Sequence, residues 1–121
     1  MHEMSLAMSI IDIALAEAEK AGASTITEIE IEVGQLAGVL PEALEFCLEA
    51  AARGTKAEAS TFSLLAVPGV GRCLSCQHEV TISEFPAQCP DCGGFGVQIT
   101  GGTELKIRSI SIDEDTPRRK Q

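Results

Sequence analysis

Apolar residues near the start of the chain recur at helical spacing. Met4, Ala7, Met8, Ile11, Ala14, Leu15 and Ala18 form one stripe, widened by Ile10, while Ser5, Ser9, Asp12, Ala16 and Glu19 form a mostly polar stripe opposite. This pattern predicts an amphipathic helix over residues 4–21, with Gly22 as the left-handed stop. Leu6 and Ile13 share a flank with Glu17, so that flank is mixed. The period then changes. Residues 26–33 (Ile-Thr-Glu-Ile-Glu-Ile-Glu-Val) alternate strictly, as a strand does, with Ile29, Ile31 and Val33 on a core face and Glu28, Glu30 and Glu32 on the other. Three aligned carboxylates could attract a cation. The simpler expectation is a solvated face partly neutralised by Lys106 or Arg108 on a neighbouring strand.

Residues 34–40 read as a loop, and Pro41 suits the first turn of a second helix, residues 41–53. Its inward positions are Leu40, Leu44, Cys47, Leu48 and Ala51, and Cys47 among them reads as a small buried hydrophobe. Gly54 ends this helix. Residues 60–67 form a second strand, stopped by Pro68-Gly69, and residues 103–112 form a third. In the third, Leu105 and Ile107 share one parity and Ile110 and Ile112 the other, which a bulge near Ser109 reconciles. The expected fold class is α+β: two helices on a small three-stranded mixed sheet, with an inserted four-cysteine zinc-ribbon module. Residues 1–68 plus 103–112 would make the body and residues 69–102 the module, pivoting on glycines near Gly69 and Gly102. The charged tail, residues 113–121 with Pro117, is expected to be disordered.

Composition narrows the function. Only four aromatic residues are present, all Phe, so the core must come from aliphatic side chains. The net charge of −9 is concentrated early, with eleven acids against three bases in residues 1–68. Nucleic-acid binding needs the opposite balance, because Lys and Arg must neutralise phosphates. A cation, or a protein partner with a basic face, suits it better. No apolar run approaches the roughly 20 residues of a membrane span. Met1-His2-Glu3-Met4 has no basic region of the kind that opens a signal peptide, so a cytoplasmic protein is expected.

Four of the five cysteines fall in two C-x-x-C pairs, Cys73/Cys76 and Cys89/Cys92, with twelve residues between the pairs. Two intervening residues let one tight turn present both sulfurs, and Gly93 and Gly94 supply left-handed freedom after the second pair. Four thiolates in tetrahedral geometry match closed structural zinc. The alternative is a rubredoxin-like iron electron-transfer site, which the Cys-Pro-Asp-Cys-Gly half resembles. Rubredoxin-like sites pack aromatics around the iron, and only Phe85 and Phe95 are near in sequence. His78 reads as a surface residue rather than an auxiliary ligand. Val80, Ile82 and Phe85, between the pairs, suffice for a short hairpin lid. A closed site has no open coordination position, and the chain shows no nucleophile–base pairing or phosphate loop, so no enzyme is expected.

Chemistry of another kind lies at the start. The bulky His2 spares Met1 from removal, so the free amine belongs to Met1. That amine, the His2 amide nitrogen and the His2 imidazole can close adjacent chelate rings, with the Glu3 amide nitrogen or carboxylate as a fourth contact. Nitrogen-rich square-planar surroundings suit Ni(II) or Cu(II).

Met-His-Glu-Met-Ser-Leu at the start resembles the HypA/HybF family of hydrogenase-maturation nickel metallochaperones. So do the block Ile31–Cys47 (Ile-Glu-Val-Gly-Gln-Leu-Ala-Gly-Val-Leu-Pro-Glu-Ala-Leu-Glu-Phe-Cys), the paired cysteines with Cys-Pro-Asp-Cys-Gly, and Gly-Thr-Glu-Leu-Lys-Ile-Arg-Ser-Ile near the end. The resemblance spans residues 1–112. It implies nickel at His2 with the terminal amine and neighbouring backbone nitrogens, and zinc on Cys73, Cys76, Cys89 and Cys92. It also implies delivery to the [NiFe]-hydrogenase large subunit precursor with a HypB-type GTPase partner. In some relatives a carboxylate before the second helix, or a second histidine, completes the nickel shell. Here that loop offers Leu40, with Glu42 the nearest carboxylate and His78 the other histidine. Strand exchange at the glycine hinges would allow a homodimer.

Overall fold

The computed structural model describes residues 3–83 and 85–113. Its elements run α1 (Glu3–Lys20), β1 (Thr25–Gly34), α2 (Pro41–Ala52), β2 (Thr61–Val67), β3 (Gly69–Cys73), β4 (Glu79–Ile82), β5 (Val97–Gly101) and β6 (Leu105–Asp113). They build two three-stranded sheets, ordered β2-β1-β6 and β4-β3-β5, in an α+β fold with two helices. Two compact units result: one from residues up to Ile31, Leu40–Leu64 and Ile107 onward, the other from Glu32–Val39 and Leu65–Lys106. Among the described residues no helix is long and apolar enough to cross a membrane. Apart from Asp113, which ends β6, the tail expected to be disordered lies outside the described residues.

In the first unit, α1 stops where its sequence dictates. Gly22 takes φ +70°, Ala23 N–H donates to Ala18 C=O at 2.9 Å and Gly22 N–H to Glu19 C=O at 3.1 Å. This paired closure satisfies carbonyls that the helix end would leave free. α1 and α2 pack against each other; α1 buries Ala7, Ile10, Ile11, Ala14 and Ala18, and α2 buries Leu44, Leu48 and Ala52. The buried face of α1 is built on these alanines with Ile10 and Ile11. Met4 and Met8, expected inside, lie off that face and are exposed (40% and 55%). Leu40, also expected inside, is 66% exposed because it is the N-cap of α2, in extended conformation, and precedes the helical stripe. Cys47 and Ala51 are half-buried rather than buried.

β1 supplies the deepest residues, Ile26, Ile29 and Ile31, at 0–1% exposure. Its neighbours run in opposite senses. Thr27 Oγ1 donates to Ser111 C=O and Ser109 Oγ to Glu30, so numbers fall along β6 as they rise along β1. Ser60 Oγ donates to Ile26 C=O and Ser63 Oγ to Glu28, so β2 runs parallel, as a strand reached through a helical crossover does. The mixed sheet follows. The glutamate row of β1 is also accounted for: Glu28 takes Ser63, Glu30 takes Ser109, and Glu32 lies 3.8 Å from Lys106. On β6, Arg108 and Ser109 are adjacent and both exposed, which is where the apolar parity changes.

The second unit is richer in strands than the hairpin lid expected from sequence. β3 pairs antiparallel with β4 (Gly69↔Ile82, Arg72↔Glu79) and with β5 (Gly71↔Ile99, Cys73↔Val97). Pro68 and Gly69 do stop β2, but β3 begins at once. A side chain at Gly102 (φ +84°) would meet the Gly69 Cα at 2.4 Å, so these glycines mark a close backbone approach. The core of this unit is Cys73, Val80, Ile82, Ala87 and Cys89, with Leu36, Cys76, Val97 and Ile99 packed against it.

Leu48 is fully buried (0%), so Leu48→Ala should cost about 2–5 kcal/mol in denaturant unfolding of the metal-loaded protein. Met8→Ala, at an exposed site, should stay within about 0.5 kcal/mol.

Candidate metal centre

Two turns of the same design carry the cysteines. In the first, Gln77 N–H donates to Cys73 C=O at 2.8 Å and Cys73 N–H to His78 C=O at 3.0 Å. In the second, Gly93 N–H donates to Cys89 C=O and Cys89 N–H to Gly94 C=O, both at 2.8 Å. The fourth residue after each leading cysteine is left-handed, Gln77 at φ +69° and Gly93 at φ +76°. Glycine permits this in the second turn. Gln77 does it with a side chain, an uncommon conformation that its sequence did not signal.

The four sulfurs lie within 4.8 Å of one another. Cys73 Sγ is 3.5 Å from Cys92 Sγ, and Cys76 Sγ is 3.7 Å from Cys89 Sγ. Sulfurs about 2.3 Å from a central ion, at tetrahedral corners, would be separated by about 3.8 Å. The donor set thus fits a closed zinc site. Cys73 and Cys89 are buried, Cys76 half-buried and Cys92 exposed. Phe85 and Phe95 are exposed, at 62% and 63%, so no aromatic sheath of the rubredoxin kind forms from them.

Electrostatics at the cluster are divided. The Cys76 N–H donates to Cys73 Sγ at 3.5 Å, and this is the main reason the Cys73 thiol is held down, to about 6. Cys76 receives the His78 N–H, which favours its thiolate, but burial and the neighbouring sulfurs outweigh it and push Cys76 up to about 12. Cys92 receives the Gly94 N–H and is likewise raised, by Cys73, Cys89 and burial. One thiolate, Cys73, is therefore favoured near neutral pH, while Cys76 and Cys92 are held toward their protonated forms until a cation displaces the protons.

Other candidate residues fall outside this cluster. His78 is not among its ligands; its Nδ1 lies 3.2 Å from Asp91 Oδ2, joining one exposed residue from each turn. Cys47 is free and half-buried on α2. Glu3 is the first described residue of α1, and its Oε2 accepts the Leu40 N–H at 3.4 Å. α2 has no side-chain cap of its own, so a carboxylate from α1 meets its N-cap amide. Periodicity within either helix could not have revealed this tie. The expected nickel ligands Met1 and His2 lie outside the described residues. Glu42 is exposed in the first turn of α2.

The class defined is a small metal-binding protein whose thiolate site is closed and whose chemistry is binding rather than turnover. Residues 1–112 match the family model described as hydrogenase/urease nickel incorporation, metallochaperone, hypA. The hydrogenase maturation factor HypA of Chlorobium luteolum is 47% identical over 115 residues, covering 95% of this chain and 98% of that protein. Its namesake in Albidiferax ferrireducens is 37% identical over 113 residues, covering 93% and 100%. The solution structure of the Ni metallochaperone HypA from Helicobacter pylori shares the fold, with a TM-score of 0.67 at 20% identity over 95% of this chain and 100% of that one. The chain belongs to the HypA family: it is a hydrogenase-maturation nickel metallochaperone with a four-cysteine zinc site, and the family is not enzymatic.

Because Cys76 and Cys92 hold their protons at neutral pH, zinc binding must release at least two. Its apparent affinity should rise at least about a hundredfold from pH 7 to pH 8, and fall in the opposite direction, in competition with a chromophoric chelator. A slope near zero would contradict this account. A red iron chromophore in freshly purified protein would overturn the zinc assignment.

Proposed function

We propose that the chain binds Ni(II) at its N-terminus and delivers it for maturation of the [NiFe]-hydrogenase large subunit precursor, working with a HypB-type GTPase in the cytoplasm. Nickel is held by the Met1 amine, the His2 amide nitrogen and imidazole, and a contact from Glu3. Zinc is structural and sits on Cys73, Cys76, Cys89 and Cys92. The nickel-binding domain is residues 1–68 with 103–112, and the zinc module is residues 69–102.

One observation carries this reading: the family match begins at residue 1 and so includes Met1-His2-Glu3. The relatives named above are hydrogenase maturation factors, which favours hydrogenase over urease as the destination. The chemistry supports the division of labour. Four converging thiolates select a soft-site metal and leave no open position, whereas terminal nitrogens suit nickel and remain open to exchange. Cu(II) should bind the terminal nitrogens more tightly still, so nickel selectivity comes from metal availability and the partner. Five free cysteines suit a reducing compartment.

Nickel titration of the native protein against two variants tests the site. His2→Ala removes the imidazole, and a short N-terminal extension blocks the amine. Both should lose high-affinity nickel while retaining one zinc per chain. Unchanged nickel affinity in either variant would exclude the terminal chelate.

A further inference from the structure

The four sulfurs of the metal centre are alike in chemistry and unequal in access. Cys73 and Cys89 are buried, Cys76 is half-buried, and Cys92 is exposed. Two glycines follow Cys92 directly. A methyl group placed on Gly94 would lie 3.5 Å from Cys92 Sγ and 4.0 Å from Ser75 Oγ. Its absence leaves the Cys92 sulfur uncovered on that side. With zinc held, all four donors are thiolates, so exposure decides which of them an oxidant meets first. Cys73, at 0% exposure, is closed to direct attack, yet its Sγ lies 3.5 Å from Cys92 Sγ.

We infer that Cys92 is a peroxide-reactive site with Cys73 as its resolving thiolate, so that mild oxidation removes two of the four donors and frees the ion. In the first step the Cys92 thiolate attacks one oxygen of hydrogen peroxide. The S–O bond forms, the O–O bond breaks and hydroxide leaves, which oxidises the sulfur to a sulfenic acid. In the second step the Cys73 thiolate attacks the Cys92 sulfur. The S–S bond forms, the S–O bond breaks and a second hydroxide leaves. Two thiolates have then given two electrons to one peroxide, reduced to two hydroxides.

The two remaining thiolates, Cys76 and Cys89, cannot complete a tetrahedral site. Cys73 and Cys89 are also core residues of the second unit, so losing the ion loosens that unit as well. A dithiol reductant reverses the change by thiol–disulfide exchange. Cys47, half-buried on α2, belongs to the first unit and takes no part. The inference rests on the zinc assignment, which metal analysis of the untreated chain checks separately, and it does not involve residues 1–3.

Treating the full, zinc-loaded chain with up to one equivalent of hydrogen peroxide tests it. Zinc release is followed with a chromophoric chelator, and disulfides are mapped by mass spectrometry of peptides after alkylation. Two thiols should disappear for each zinc released, Cys73–Cys92 should be the first disulfide, and dithiothreitol with zinc should restore the site. Gly94→Val keeps all four donors but covers Cys92 Sγ, so the loaded variant should release zinc about tenfold more slowly. Three results would overturn the inference: a first disulfide within one turn (Cys73–Cys76 or Cys89–Cys92), oxidation of Cys47 with zinc retained, or native release kinetics in loaded Gly94→Val. Should that variant fail to load zinc, the disulfide map of the native chain decides alone.

Discussion

Four thiolates within 4.8 Å of one another cannot all be ionised unless a cation lies among them. That repulsion governs how the second unit is built. The second unit spends its backbone on meeting it: β3 and β5 pair directly at Cys73 and Val97, and both turns close by the same two hydrogen bonds. Of the few residues buried in that unit, Cys73 and Cys89 are ligands as well as core. Metal binding and folding of this unit are therefore one process, as in other small thiolate-bound modules.

A closed thiolate site holds its ion and does not hand it on. With every corner of the tetrahedron occupied by sulfur, the centre offers no position for a substrate or a transferable ion. A metal to be handed on needs ligands that are accessible and of another kind, the role proposed above for the terminal amine and imidazole. Under that proposal, soft sulfur and terminal nitrogen would separate the two metals by ligand type, without either site needing great selectivity of its own. The tie between Glu3 and the Leu40 amide lies next to that terminus and fixes where α1 begins against α2.

The acidic face of β1 shows how a suggestive pattern resolves into an ordinary one. Glu28, Glu30 and Glu32 read as a row of carboxylates, but each meets a hydroxyl or an ammonium on the neighbouring strands. The negative charge of the chain thus does not define a second cation site on this sheet. It acts at longer range, and β6 is the strand where it is locally offset.

Much was legible in the sequence, because local rules govern it. Period-two alternation placed β1, Pro41 and Gly54 bounded α2, and Gly22 marked the end of α1, since each depends on a few neighbouring residues. The C-x-x-C pairs specified the thiolate cluster, because a tight turn brings two such sulfurs together whatever surrounds it. Tertiary structure decided the rest. Which part of the wide apolar face of α1 is buried was decided by tertiary packing, and this left Met4 and Met8 outside. β3 and β5 are short and glycine-bearing, so they carry little pattern of their own and exist as strands through pairing with each other and with β4. Gln77 became left-handed because the first turn must match the second, and Glu3 met Leu40 because two helices distant in sequence begin side by side.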